Sequence, residues 1–287
     1  MEYRTSEQLK GKIRAFAKKR GLMPQEVLQM YMFERVLERL ALSNYSKNFI
    51  LKGGLLISSM FGISERTTMD MDTTVTGLDM NEIEIVAAIK EILAIDVNDG
   101  IEFVFDKIEP IHENDDYSNF RVYFYARYEK INNPMKIDIT TGDVITPSAI
   151  QYSYQSFLDD KTINVMAYNI ETIISEKFET IISRNVATTR IRDYYDLYKF
   201  YNLYVNSLNI TILRHAFINT VKNRDSSESM TDWREITEEI KEDSNLREMW
   251  NRYSEKNGFA QDISYDMVTD TILCVGEILL NEGGRKI

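Results

Sequence analysis

Apolar positions recur at helical spacing over residues 6–20 and 24–43, the second stretch opening on Pro24 and repeating at Val27, Leu28, Tyr31 and Met32. Asn-Phe-Ile-Leu at 48–51 then reads as a short strand, and Leu-Leu-Ile-Ser-Ser-Met-Phe at 55–61 as the apolar start of a helix. Further strands are predicted at 69–76, 101–109, 120–129, 135–140 and 163–167, with a helix at 81–94 between the first and second of these. From residue 169 the period turns helical almost throughout, beginning with the run at 170–184. The expected fold class is α+β. Residues 1–165 form a mixed sheet with helices, including the N-terminal helices, and residues 166–287 form a helical C-terminal domain. Twelve glycines and four prolines in 287 residues agree with a helix-rich chain of short loops.

The chemistry concentrates where the predicted strand at 48–51 meets the following helix. Lys52-Gly53-Gly54 lies at that turn, where glycine lets backbone N–H groups come close to an anion. Arg66-Thr67-Thr68-Met69-Asp70-Met71-Asp72 follows. On a strand, Asp70 and Asp72 at i and i+2 project from one face, about 6.5–7 Å apart at Cα. Mg²⁺ is typically held by one or two carboxylates, with water and substrate phosphate completing its shell.

Ile137 and Ile139 alternate with Lys136, Asp138 and Thr140, so a strand here buries the isoleucines and turns Asp138 to the opposite face. If it lies beside the strand bearing Asp70 and Asp72, three carboxylates converge, and their mutual repulsion calls for a cation. Further on, Lys177 suits a nucleotide phosphate. Asp193 and Asp196 share a helix face, flanked by Arg192 and Lys199, and suit the orienting of a lysine, a metal or a ribose.

Charge and cysteine usage narrow the classes. The net charge of −11 argues against a nonspecific nucleic-acid coat, yet residues 1–20 carry a local +5, enough for a phosphate or RNA footprint. Residues 225–246 hold eight acidic side chains against Arg234 and Lys241 and read as a solvated helix with flanking loop. One cysteine, Cys274, excludes an intramolecular disulfide. Two histidines, His112 and His215, without ligand-spaced partners, argue against zinc and against a histidine triad, and read as surface or satisfied core positions. With no signal-peptide pattern and no apolar run of 18 residues, no membrane partner is expected and the chain is placed in a reducing cytoplasm.

Taken together, Lys52-Gly53-Gly54, Arg66 to Asp72, Lys177 and Arg192-Asp193-Tyr194-Tyr195-Asp196-Leu197-Tyr198 resemble the AbiEii/AbiGii toxin family of the polymerase β-like nucleotidyltransferase superfamily, over roughly residues 24–200. The resemblance implies an NTP-binding sheet joined to a helical domain. It also implies a type IV toxin–antitoxin role in abortive phage infection with an AbiEi-like antitoxin, which need not touch the toxin. The activity implied is Mg²⁺-dependent transfer from GTP or another NTP to an acceptor such as the tRNA 3′ end. In that frame Asp70, Asp72 and Asp138 hold metal or act as base, and Lys52, Gly53, Gly54, Arg66, Thr67, Arg192 and Asp193 bind nucleotide. Lys177 and Asp196 complete the catalytic set, with the choice between Asp193 and Asp196 left open. Where the wider superfamily has Gly-Ser, this chain has Gly53-Gly54 followed by Leu55, so backbone N–H groups replace a hydroxyl. On the residues alone, a metal-dependent nuclease and an inert NTP-binding or interaction module stay open.

Overall fold

A computed structural model describes residues 5–79, 81–111 and 119–281; His112 lies outside them. Contacts divide the chain into two units, residues 1–143 with 150–167, and residues 144–149 with 168–287.

Unit 1 opens with α1 (Ser6–Arg20) and α2 (Pro24–Leu42). Thr5 caps the start of α1 through the Gln8 N–H, and Gly21 ends it in the left-handed conformation that a glycine adopts without penalty. Next come β1 (Phe49–Lys52), α3 (Gly53–Phe61), β2 (Met71–Val75) and α4 (Glu82–Leu93). They are followed by β3 (Glu102–Ile111), β4 (Asn119–Tyr128), β5 (Ile131–Thr140), β6 (Ile150–Gln155) and β7 (Thr162–Ala167). The seven strands form one mixed sheet in the order β3-β4-β5-β2-β1-β7-β6. The meander β3-β4-β5 is antiparallel, β2 runs parallel to β5 and antiparallel to β1, and β1 runs parallel to β7. Period-two burial drives this arrangement: Phe120, Val122, Phe124, Ala126 and Tyr128 of β4, and Ile131, Met135, Ile137 and Ile139 of β5, all turn inward.

Unit 2 holds α5 (Ile170–Arg184), α6 (Ile191–Tyr204), α7 (Ile210–Asn223), α8 (Ser227–Thr231), α9 (Trp233–Glu242), α10 (Ser244–Lys256) and α11 (Tyr265–Leu280). Asn169, Asn209, Asp243 and Ser264 each cap a helix start with a side-chain oxygen. The core includes Phe178, Tyr194, Tyr195, Phe217, Trp233 and Trp250, all at most 3% exposed.

Three local expectations change. Strand β6 was not anticipated, because it is an edge strand with only Tyr154 fully buried and so lacks a strong apolar alternation. Strand β2 begins at Met71, which leaves Asp70 just before it. The acidic stretch 225–246 comprises α8, α9 and the start of α10; α9 buries Trp233, Thr237 and Ile240 and is amphipathic, not solvated all round. No helix among the described residues is long and apolar enough to cross a membrane.

Candidate active site

Register builds the site in unit 1. Because β1 and β2 are antiparallel with Lys52 opposite Asp72, the carboxylate of Asp72 lies against the Gly53-Gly54 turn that starts α3. The Gly54 N–H donates to Asp72 Oδ2 at 3.2 Å. Gly53 has φ +62°, and a Cβ there would overlap the Asp72 carboxylate; one at Gly54 would press on Thr68. Both glycines are therefore required by close approach. The anion held at this turn is Asp72 itself, so a phosphate would share the Gly54 N–H with an internal carboxylate.

Strand β5 lies directly beside β2, and Asp138 is the register partner of Asp72. The Arg121 guanidinium, from the register position across β4, grips Asp138 with two hydrogen bonds of 2.7 Å each. Asp70 is paired with the Lys136 ammonium at 3.0 Å, and its backbone is fixed by the Thr68 hydroxyl. Lys52 reaches away from the turn to Asp143 at 2.6 Å and to Thr140 Oγ1 at 2.7 Å. Arg66 is buried beside Gly54, where its guanidinium donates to the Thr67 carbonyl at 2.5 Å, and the Thr67 hydroxyl donates to Glu26 at 3.1 Å.

Burial pushes the Asp72 carboxyl above the ordinary carboxylate range, and the charges of Asp138 and Asp70 push the same way, against the Gly54 N–H and Lys52. Burial also pushes Asp143 up, but the Lys52 ammonium and hydrogen bonds from Lys52, Thr140 and Thr74 outweigh it and hold Asp143 low. A divalent cation fits this electrostatic setting, since it would relieve the strain on Asp72. Among the described residues no group of three or more His, Cys, Asp or Glu stands as a ready metal cage, and Asp138 has both oxygens on Arg121. The residues present therefore fit a cation held at Asp72, with Asp70 near enough to add its charge on leaving Lys136, and completed from outside the protein, as Mg²⁺ sites often are.

In unit 2, the motif on α6 turns inward. Lys177 of α5 donates to Asp193 and, at 2.8 Å, to Asp196, and both aspartates are at most 3% exposed. Arg190 donates to Asp193 at 2.7 Å. Arg192, expected to contact nucleotide, is on the exposed side of α6. The residues that pattern reading missed are Arg121, Asp143 and Arg190. Arg121 alternates with buried Phe120 and Val122, which marked it as outward-facing but not as opposite Asp138.

Among the solved structures that share this fold are two from Helicobacter pylori. A protein from H. pylori assigned as a nucleotidyltransferase is 18% identical, with 90% of this chain and 97% of that one covered at a TM-score of 0.50. JHP933 from Helicobacter pylori is 15% identical, with 90% and 94% covered at a TM-score of 0.50. At such identities the likeness defines the fold, which is nucleotidyltransferase-like. No curated protein matches the sequence. The profile described as "Nucleotidyl transferase AbiEii toxin, Type IV TA system" matches residues 35–270, and the chain belongs to that family of toxin–antitoxin nucleotidyltransferases.

Proposed function

We propose that the chain transfers a nucleotidyl group from an NTP, GTP foremost, to an RNA acceptor such as the tRNA 3′ end, as the cytoplasmic toxin of an abortive-infection system whose antitoxin is AbiEi-like. The observation that carries this reading is the register that puts Asp72 between the Gly53-Gly54 turn and Asp138, with Asp70 just before it. In the reaction an acceptor hydroxyl oxygen bonds to the α-phosphorus, pyrophosphate leaves and the hydroxyl proton passes to a base. Asp70 and Asp72 are the residues that would hold Mg²⁺, with Asp138 the third, and the ion would neutralise phosphate charge. Asp138 serves as ligand or base once the Arg121 fork releases it, which in turn makes Arg121 available to an incoming phosphate. Gly53, Gly54, Arg66 and Thr67 line the phosphate side, and Lys52 joins them on leaving Asp143. Lys177, Asp193 and Asp196 have a part in nucleotide handling on the strength of the family motif and their buried ion cluster, with Arg192 the exposed cation of the same motif.

The test is incubation of total RNA and of protein fractions with each of four α-labelled NTPs. RNA that gains label from one NTP, and that gains none with Asp70→Ala or Asp72→Asn, supports the reading. RNA that shortens would replace it with a nuclease, and a stable Asp72→Asn protein with full transfer would overturn the role given to the carboxylates.

A further inference from the structure

We propose that the exposed face of α1 is a docking surface for the phosphate backbone of RNA, a proposal that rests on the reading above that the acceptor is RNA. Helix α1 carries six basic side chains (Lys10, Lys12, Arg14, Lys18, Lys19, Arg20) against one acid, Glu7, a net +5 on a chain whose remainder is −16. Its inner face, Leu9, Ile13 and Ala17, is buried, and two further ties hold it on unit 1. The Ser6 N–H donates to Glu129 at 2.8 Å, and the Phe16 ring lies 5.2 Å from that of Phe157. The helix is thus a fixed part of its unit.

On that fixed helix the charges fall in two rows. Lys10, Arg14 and Lys18 are spaced by four residues, about 6 Å apart along the axis, with Lys10 paired to Glu7 at 3.3 Å, and Lys12 and Lys19 lie seven apart, about 10 Å, on the other flank. Between the rows the outermost positions are the small residues Gly11 and Ala15. A Cβ at Gly11 would meet open space, so nothing inside the protein requires a glycine in the middle of this helix. Two cationic rows around a low floor suit a polyanionic strand lying close along the helix. Rows of lysine and arginine without an apolar pocket suit phosphate contacts, which position a nucleic acid without reading its bases. An acidic protein partner would meet the same cations but also the −16 of the surrounding chain at every other point of a broad interface. A flexible single strand can follow the rows alone.

Four phosphate contacts give an affinity whose logarithm falls with log salt at a slope of about −3, or about 50-fold between 50 and 200 mM salt. The experiment is fluorescence anisotropy of 5′-labelled single-stranded oligouridylate titrated with the full chain across that salt range, for wild type, K12Q/K19Q, R14Q/K18Q and all four changes together. These side chains are exposed, so each variant is expected to keep the wild-type unfolding midpoint, and either double variant alone suffices if the quadruple does not fold. The expected result is a slope reduced by about 1 to 1.5 per double variant and at least a tenfold weaker complex at 50 mM for the quadruple. Unchanged affinity in folded variants, or displacement of RNA by poly-glutamate at equal charge concentration, would overturn the proposal. Binding is measured without NTP and repeated with Asp72→Asn. Binding by Asp72→Asn that still depends on α1 supports the docking surface. The label assay reports on nucleotidyl transfer separately, so either idea can fail alone.

Discussion

Gly53→Ala is the most direct test of how the site is held. Gly53 sits at φ +62°, where a side chain costs about 1–2 kcal/mol. Its added Cβ would also overlap Oδ2, Cγ and Cβ of Asp72, and overpacking of that kind typically costs about 1–3 kcal/mol. The two together predict a loss of about 2–5 kcal/mol in unit 1. In an Asp72→Gly background the overlapping atoms are gone, so the same change should cost only about 1–2 kcal/mol, leaving a coupling of about 1–3 kcal/mol in the double-mutant cycle. Both tryptophans, Trp233 and Trp250, belong to unit 2, so intrinsic fluorescence would miss the effect. Hydrogen exchange of peptides covering residues 49–75 reads the right region. Because the carboxylate must move to admit the methyl group, Gly53→Ala should also lower α-label transfer at least 100-fold, as misplacement by about 1 Å can. An equal stability cost in both backgrounds, or a folded Gly53→Ala protein with wild-type transfer, would show that the turn does not position Asp72.

Three further outcomes follow from other buried charges. Glu34, fully buried on α2, accepts from the Ser156 hydroxyl at 2.6 Å and the Phe157 N–H at 3.1 Å, and burial pushes it from the ordinary 4.5 up to about 7. Its raised folded value means that its contribution to stability is complete below about 4.5 and lost as pH rises through about 7, a change of about 3 kcal/mol. Glu34→Gln should therefore stabilise unit 1 at pH 8 and have little effect at pH 5 in hydrogen exchange, and a pH-independent difference would refute this. Lys177→Met removes the ammonium shared by the buried Asp193 and Asp196, with Arg190 still on Asp193, so a loss of about 3 kcal/mol is expected in urea unfolding followed by tryptophan fluorescence, largely recovered by adding Asp196→Asn. Failure of the second change to rescue would mean the cluster is not held by charge. Asp72→Asn removes a carboxylate that burial and like charges disfavour, so the variant should be at least as stable as wild type at pH 7 while transferring no label.

Much of the fold was legible because local period and caps agree with it. Helix α1 matches its expected span residue for residue, and β4 and β5 emerge from a strict inward alternation. Strand β6 was not legible, since an exposed edge strand has little reason to be apolar. The site divides along a similar line. Alternation marked Asp72 and Asp138 as residues on the polar face of strands, and the glycine pair marked a close approach. What no local pattern contains is register, and register decides which charges meet. Arg121 stands opposite Asp138 only because β4 and β5 pair at Val122 and Ile137, and Lys52 meets Asp143 only because the chain turns after Thr140.

That missing information changes the chemistry expected of the site. Three carboxylates read from sequence suggest a bare acidic cluster held apart until metal arrives. The folded chain instead supplies cations to two of the three, Lys136 on Asp70 and Arg121 on Asp138, and puts Lys52 on a fourth carboxylate, Asp143. Asp72 differs in taking a backbone N–H as its hydrogen-bond donor, and burial and its acidic neighbours push its carboxyl upward. On the proposed function, an arriving cation would gain at Asp72 and an arriving phosphate would gain by drawing Arg121 and Lys52 off their carboxylates. Substrate and metal would then favour each other's binding, because each would release a charge that the other needs.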